Sequence, residues 1–156
     1  MITRRSFVVQ AAGFTLAVVS GERLWAQLSR FHPATLTVFK SPTCGCCSKW
    51  VDHVNAAGFT VEVHDVEEMD PVKDRLGVPP DLRSCHTAQV EGYLIEGHVP
   101  AADIKRLLAT RPKVAGLAVP GMPKSTPGMA VPGAPAEPYT VVSFQKDGAT
   151  QVYARH

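Results

Sequence analysis

Ala34-Thr-Leu-Thr-Val-Phe-Lys40, followed by Ser41-Pro-Thr-Cys-Gly-Cys-Cys47 and, after one helical stretch, by Thr60-Val-Glu-Val-His-Asp65, decides the fold. The first and last of these runs alternate apolar with polar side chains and favour β-formers, so both read as strands. Between them, apolar or small side chains recur at 47, 50, 51, 54 and 57, a helical spacing that faces a core. Ser41-Pro-Thr breaks the first strand, the helix is predicted over Cys46–Ala57, and Gly58 stops it. A strand–helix–strand unit of this length implies parallel pairing with a right-handed crossover. It also sets the thiols where the first strand meets the first helix.

Working outward, Asp70 as N-cap and Pro71 at the first helical position open a short helix through Leu76, which Gly77 ends. Pro79-Pro80 leads into Ser84-Cys-His-Thr87, and Ala88–Glu96 reads as two short strands around Gly92. Pro100 heads a further helix with an apolar stripe at 104, 107 and 108, limited by Pro112. Residues 113–138 form a Gly/Pro/Met-rich irregular stretch. Tyr139–Phe144 and Gln151–Ala154 flank Lys146-Asp-Gly148 and read as a hairpin. The fold class is α/β, in the order β-α-β-α-β-β-α with a C-terminal hairpin. That order, with thiols at the first strand–helix junction, is the thioredoxin-like plan. A single domain is expected over 27–156, with no internal repeat.

Residues 1–26 read as an export signal. Arg4-Arg5 precedes an apolar run from Phe7 to Val19, too short to span a bilayer comfortably and suited to a twin-arginine signal. Ala26 is a small residue suited to cleavage, with an uncleaved anchor as the competing reading. The chain is therefore expected in the periplasm, with no stable membrane insertion once the signal is removed. Its 16 basic and 14 acidic residues become 13 and 13 when Arg4, Arg5, Arg23 and Glu22 leave with that segment. A balanced mature chain lacks the basic footprint of a nucleic-acid binder.

All four cysteines lie beyond the signal. In an oxidising compartment four cysteines usually mean two structural disulfides. Here three fall within four residues, and the vicinal Cys46 and Cys47 are poorly placed to bridge each other. One disulfide plus two thiols, or a shared metal, fits the spacing better. Cys44 and Cys47 form a Cys-x-x-Cys pair at a helix N-terminus, where exposed amides and the helix dipole favour thiolate. That leaves dithiol redox chemistry and metal ligation both open. Cys46 favours metal, because a redox dithiol needs only two sulfurs.

Cys85, just ahead of the third strand, is placed to supply a fourth thiolate; a buried small residue is the competing reading. Zinc prefers paired, spaced ligands, whereas soft thiolates and thioethers select Cu(I). Met122 and Met129 offer two thioethers in a flexible loop, against a gap-filling role. His86 and His98 are candidate ligands or hydrogen-bonding neighbours of the site. His53 and His64 read as surface residues, and Trp50 as core.

Cys44-Gly-Cys-Cys47 after a strand, then Ser84-Cys-His-Thr87, Glu91-Gly-Tyr-Leu-Ile-Glu-Gly-His-Val-Pro100 and Gly116-Leu-Ala-Val-Pro-Gly-Met122, resemble the CopG-type periplasmic copper-resistance proteins. The resemblance covers about residues 34–145. It implies a thioredoxin-like fold and copper held by thiolates as a polynuclear, sulfur-bridged cluster. It also implies a role in copper tolerance, with interconversion of Cu(I) and Cu(II). By motif, Cys44, Cys46, Cys47 and Cys85 are the matching thiolates; Met122, Met129 and the histidines match less closely. Lys124-Ser-Thr-Pro-Gly-Met129 departs from the family pattern, which has a glycine before Ser/Pro-Gly-Met.

Three functions follow as expectations. The first is a copper-binding protein with copper redox activity. The second is a thiol-disulfide oxidoreductase resting on Cys44 and Cys47. The third is a docking module for other periplasmic copper-handling proteins.

Overall fold

A computed structural model describes residues 33–156. The export segment over 1–26 lies outside the described residues. Among the described residues, no helix is long and apolar enough to cross a membrane.

Strand β1 (Thr35–Lys40) leads into helix α1 (Gly45–Ala56), and β2 (Thr60–Asp65) returns parallel to β1 in the register Thr35 to Thr60. Helix α2 (Met69–Leu76) and a 3-10 turn at Pro80–Leu82 lead to β3 (His86–Val90) and β4 (Tyr93–Glu96). Helix α3 (Ala101–Thr110), β5 (Gly116–Ala118), β6 (Thr140–Phe144) and β7 (Thr150–Arg155) complete the described chain. The seven strands form one sheet in the order β2-β1-β3-β4-β5-β6-β7. The architecture is mixed α/β, as the alternation and helical spacing predict.

Three of the departures from the sequence reading matter most here. β5 lies inside the stretch taken as irregular and pairs parallel to β4 through Gly116–Leu94. Helix α2 starts two residues earlier, with Glu68 as N-cap and Asp70 in the first turn. Helix α1 begins at Gly45, so Cys44 itself is the N-cap.

The period of two sorts side chains onto two faces. Leu36, Val38, Ala88, Val90 and Ile95 face α1 and α3, where Trp50, Val54, Ile104 and Leu107 close the larger core. Leu94, Ala118 and Phe144 face the other way, against Val78, Leu82 and Leu76 of the α2 segment. Trp50 is fully buried and donates from Nε1 to the Val99 carbonyl at 2.9 Å, tying α1 to the β4–α3 junction. His53 is half-buried rather than a surface residue. Its Nε2 accepts the Ala101 N–H at 3.1 Å, satisfying one of the orphan donors at the head of α3.

Candidate metal centre

The turn Ser41–Cys44 is closed by the Cys44 N–H on the Ser41 carbonyl at 3.1 Å, and Ser48 N–H on the Cys44 carbonyl at 3.2 Å starts α1. Cys44, Cys46 and Cys47 therefore surround the first turn of the helix, where free amides favour anionic sulfur. Cys44 and Cys47 are joined as a disulfide, and Cys46 Sγ lies 3.4 Å from Cys44 Sγ. Cys47 is buried by the same spacing that buries Trp50 and Val54; Cys46 and Cys85 are half-buried.

Cys85 reaches the turn from the segment just before β3. The four sulfurs lie within 4.8 Å of one another. A second group, Cys85 with His86 and His98, meets the same limit and shares that sulfur. Cys85 Sγ is 3.0 Å from His98 Nε2 and 3.6 Å from His86 Nδ1. His98 Nδ1 donates to the Pro127 carbonyl at 2.7 Å, which leaves Nε2 as the acceptor facing sulfur. His86 packs its ring 4.3 Å from that of Trp50, and its buried Nε2 has no partner among the described residues.

Burial, with the Cys46 charge second, pushes the Cys85 thiol up to about 11. Burial holds His98 below its ordinary value. His86 lies well below, through burial first and then the neighbouring His98 and Lys73 charges. The pocket thus holds neutral imidazoles and a protonated Cys85, a set from which a soft cation can displace the thiol proton.

Behind this pocket, on the α2 face, lies a buried network the sequence reading missed. Glu96 is fully buried and sits opposite Thr87 in the β3–β4 register. It accepts from Thr87 Oγ1 and from the Ser84 N–H, both at 2.6 Å, and pairs with buried Lys73, which also donates to Thr87 Oγ1 at 2.9 Å. Burial raises the Glu96 carboxyl, opposed by Lys73, Thr87 and Ser84. Ser84 and Thr87 bracket Cys85 and His86, so this network fixes the backbone that delivers them. The available signal was a lysine on the apolar stripe of α2 and a glutamate ending a buried strand.

The loop carrying Met122 and Met129 folds over α1. A Cβ at Gly128, whose φ is +84°, would sit 2.7 Å from the Cys46 carbonyl and 2.8 Å from the Trp50 nitrogen. This approach, open only to glycine, sets Pro127 against His98. Met129 is half-buried beside it, whereas Met122 is 46% exposed.

Residues 82–129 match the model of a family described as a protein of unknown function, DUF411. No curated protein matches the chain. Two solved structures do, titled "Copper resistance protein copG", form 2 and form 1. Each is 43% identical over 80% of this chain, covering 99% and 98% of the solved chains with TM-scores of 0.75 and 0.74. The chain belongs to the CopG family. Within this CopG-family chain, the family-model match spans Cys85, His86, Glu96, His98, Gly128 and both loop methionines. The three-thiol turn at 44–47 lies before it.

Proposed function

We propose that this chain is an exported copper-resistance protein of thioredoxin-like fold that holds Cu(I) on Cys44, Cys46, Cys47 and Cys85. The observation that carries the reading is the convergence of four sulfurs within 4.8 Å from two separate stretches of backbone. Thiolates crowded on one turn bridge soft ions more readily than they wrap one hard ion. The two solved relatives titled as copper resistance proteins support copper as the metal. The strand order β2-β1-β3-β4, with thiols at the β1–α1 junction, supports the thioredoxin-like assignment. Arg4-Arg5 and the apolar run behind it support export to the periplasm.

Copper is the cargo, and His86, His98, Met129 and Met122 are its further candidate ligands. Loading displaces thiol protons, so it weakens as pH falls. The Cys44–Cys47 dithiol also supplies redox chemistry: its two thiols lose two electrons and two protons to form the disulfide, and two Cu(II) become two Cu(I). Closing that disulfide removes two thiolates and lowers Cu(I) affinity. The test is anaerobic titration of the reduced chain with Cu(I), reading bound copper per chain. At least one tightly held copper is expected; a stoichiometry near zero contradicts the reading.

The Cys44–Cys47 bridge at a helix N-terminus favours one second reading, a thiol-disulfide oxidoreductase. Insulin reduction at thioredoxin-like rates, independent of copper, would select it.

A further inference from the structure

We infer that Cys46 and Cys85 form a second redox pair, so that the fully reduced chain stores four electrons rather than two. The copper half of this inference rests on the reading above; the thiol half does not. With Cys44 and Cys47 joined, the two cysteines left free are Cys46 on α1 and Cys85 ahead of β3. Their sulfurs already lie within 4.8 Å of each other, and both side chains are half-buried. Closing a disulfide at about 2.05 Å requires the two sulfurs to approach further.

The surroundings of Cys85 fit a thiol that reacts rather than a cysteine that fills space. His98 Nε2 lies 3.0 Å from its sulfur, and the opposite ring nitrogen is held by the Pro127 carbonyl. An imidazole that a third group orients can take the proton of a resting thiol as its sulfur reacts. In the step, the thiols of Cys46 and Cys85 lose two electrons and two protons as one S–S bond forms. Two Cu(II) each gain one electron. One proton passes to His98 Nε2 and then to water, and the other passes directly to water. With the Cys44–Cys47 pair, four Cu(II) become four Cu(I) per chain. A chain with both pairs closed has no thiolate left to hold copper, so its Cu(I) affinity falls.

The test uses the full chain, reduced, metal-free and anaerobic, titrated with diamide, a two-electron thiol oxidant. The wild type is expected to consume two equivalents and remain monomeric on a non-reducing gel. A Cys44→Ser/Cys47→Ser double variant is expected to consume one equivalent and form a Cys46–Cys85 link within one chain, read by mass spectrometry after digestion. Persistence of two thiols in the wild type, or a link between chains in the double variant, overturns the second pair. In a parallel arm the reduced chain meets Cu(II) with a Cu(I)-selective chelator. Four Cu(I) per chain are expected, falling to two in Cys85→Ser. Two in the wild type overturns the four-electron store. Diamide results as expected with no Cu(I) formed would retain the second pair and remove the copper reading. Copper loading with only one diamide equivalent consumed would do the reverse.

Discussion

Two buried polar clusters lie back to back across the β3–β4 pair. On the α2 face, Glu96 accepts from Lys73, Thr87 and the Ser84 N–H, so every oxygen is occupied. On the α1 face, His86 Nε2 has no partner among the described residues, Cys85 is held protonated by burial, and Cys44 and Cys47 are joined beside it. Both clusters cost desolvation. The saturated one returns that cost as a fixed backbone, and the open one keeps unspent donors for a ligand. Residues 84–87 divide between the two, the Ser84 N–H and the Thr87 hydroxyl toward Glu96 and Cys85 and His86 toward the thiols, so the first cluster aims the second.

The largest expected effect breaks the saturated side. Glu96→Ala leaves the Lys73 charge buried and unpaired and should cost about 3–5 kcal/mol in denaturant unfolding. Replacing both partners with apolar residues, Glu96→Leu with Lys73→Met, should recover most of it. A Glu96→Ala loss under about 1 kcal/mol would mean that the network organises little.

Acid acts on the open side. His86 and His98 have lowered values when folded, so between those values and about 6.5 only the unfolded chain takes the proton. More protons on the unfolded state mean stability rises with pH in that window and is lost as pH falls below about 6.5. The slope approaches about 1.4 kcal/mol per pH unit for each histidine. Unfolding of metal-free protein at a series of pH values measures it, and His86→Phe should remove one histidine's share. An unchanged slope in that variant would assign the acid sensitivity elsewhere.

The loop sharpens the comparison at smaller scale. Gly128→Ala should cost about 1–3 kcal/mol, because a left-handed residue also meets the Cys46 carbonyl. Gly133 has a similar φ of +82° but open space around its Cβ position. Gly133→Ala should therefore cost less, and equal losses would remove any role for the close approach over α1. The smallest stability effect belongs to Cys46→Ser, within about 1 kcal/mol, because the side chain is half-exposed. That same variant should lower bound Cu(I) while sparing Cys44–Cys47 dithiol turnover, read by titration and by insulin reduction. Intact copper loading with lost turnover would contradict the assigned division.

What the sequence disclosed follows from periodicity. The β1-α1-β2 unit was legible because strand alternation and helical spacing each run long enough to read, and it carried Cys44, Cys46 and Cys47 to a helix N-terminus. Strand β5 was not, since Gly116-Leu-Ala118 has no period and gains its identity only from pairing with β4 and β6. The Cys85 approach was readable from the fold plan. The Lys73–Glu96–Thr87 network was not, because its members stand 23, 14 and 9 residues apart and only the sheet register makes them neighbours. His53 was misread for a similar reason: its partner is a backbone N–H 48 residues away.

X-ray absorption on the reduced, Cu(I)-loaded full chain, beside its Cys85→Ala variant, tests the shared sulfur site most directly. The account predicts a sulfur-dominated copper shell in the wild type and fewer sulfur neighbours, or less copper retained, in the variant. An identical shell and copper content in the two proteins would place residue 85 outside the metal site and contradict the account.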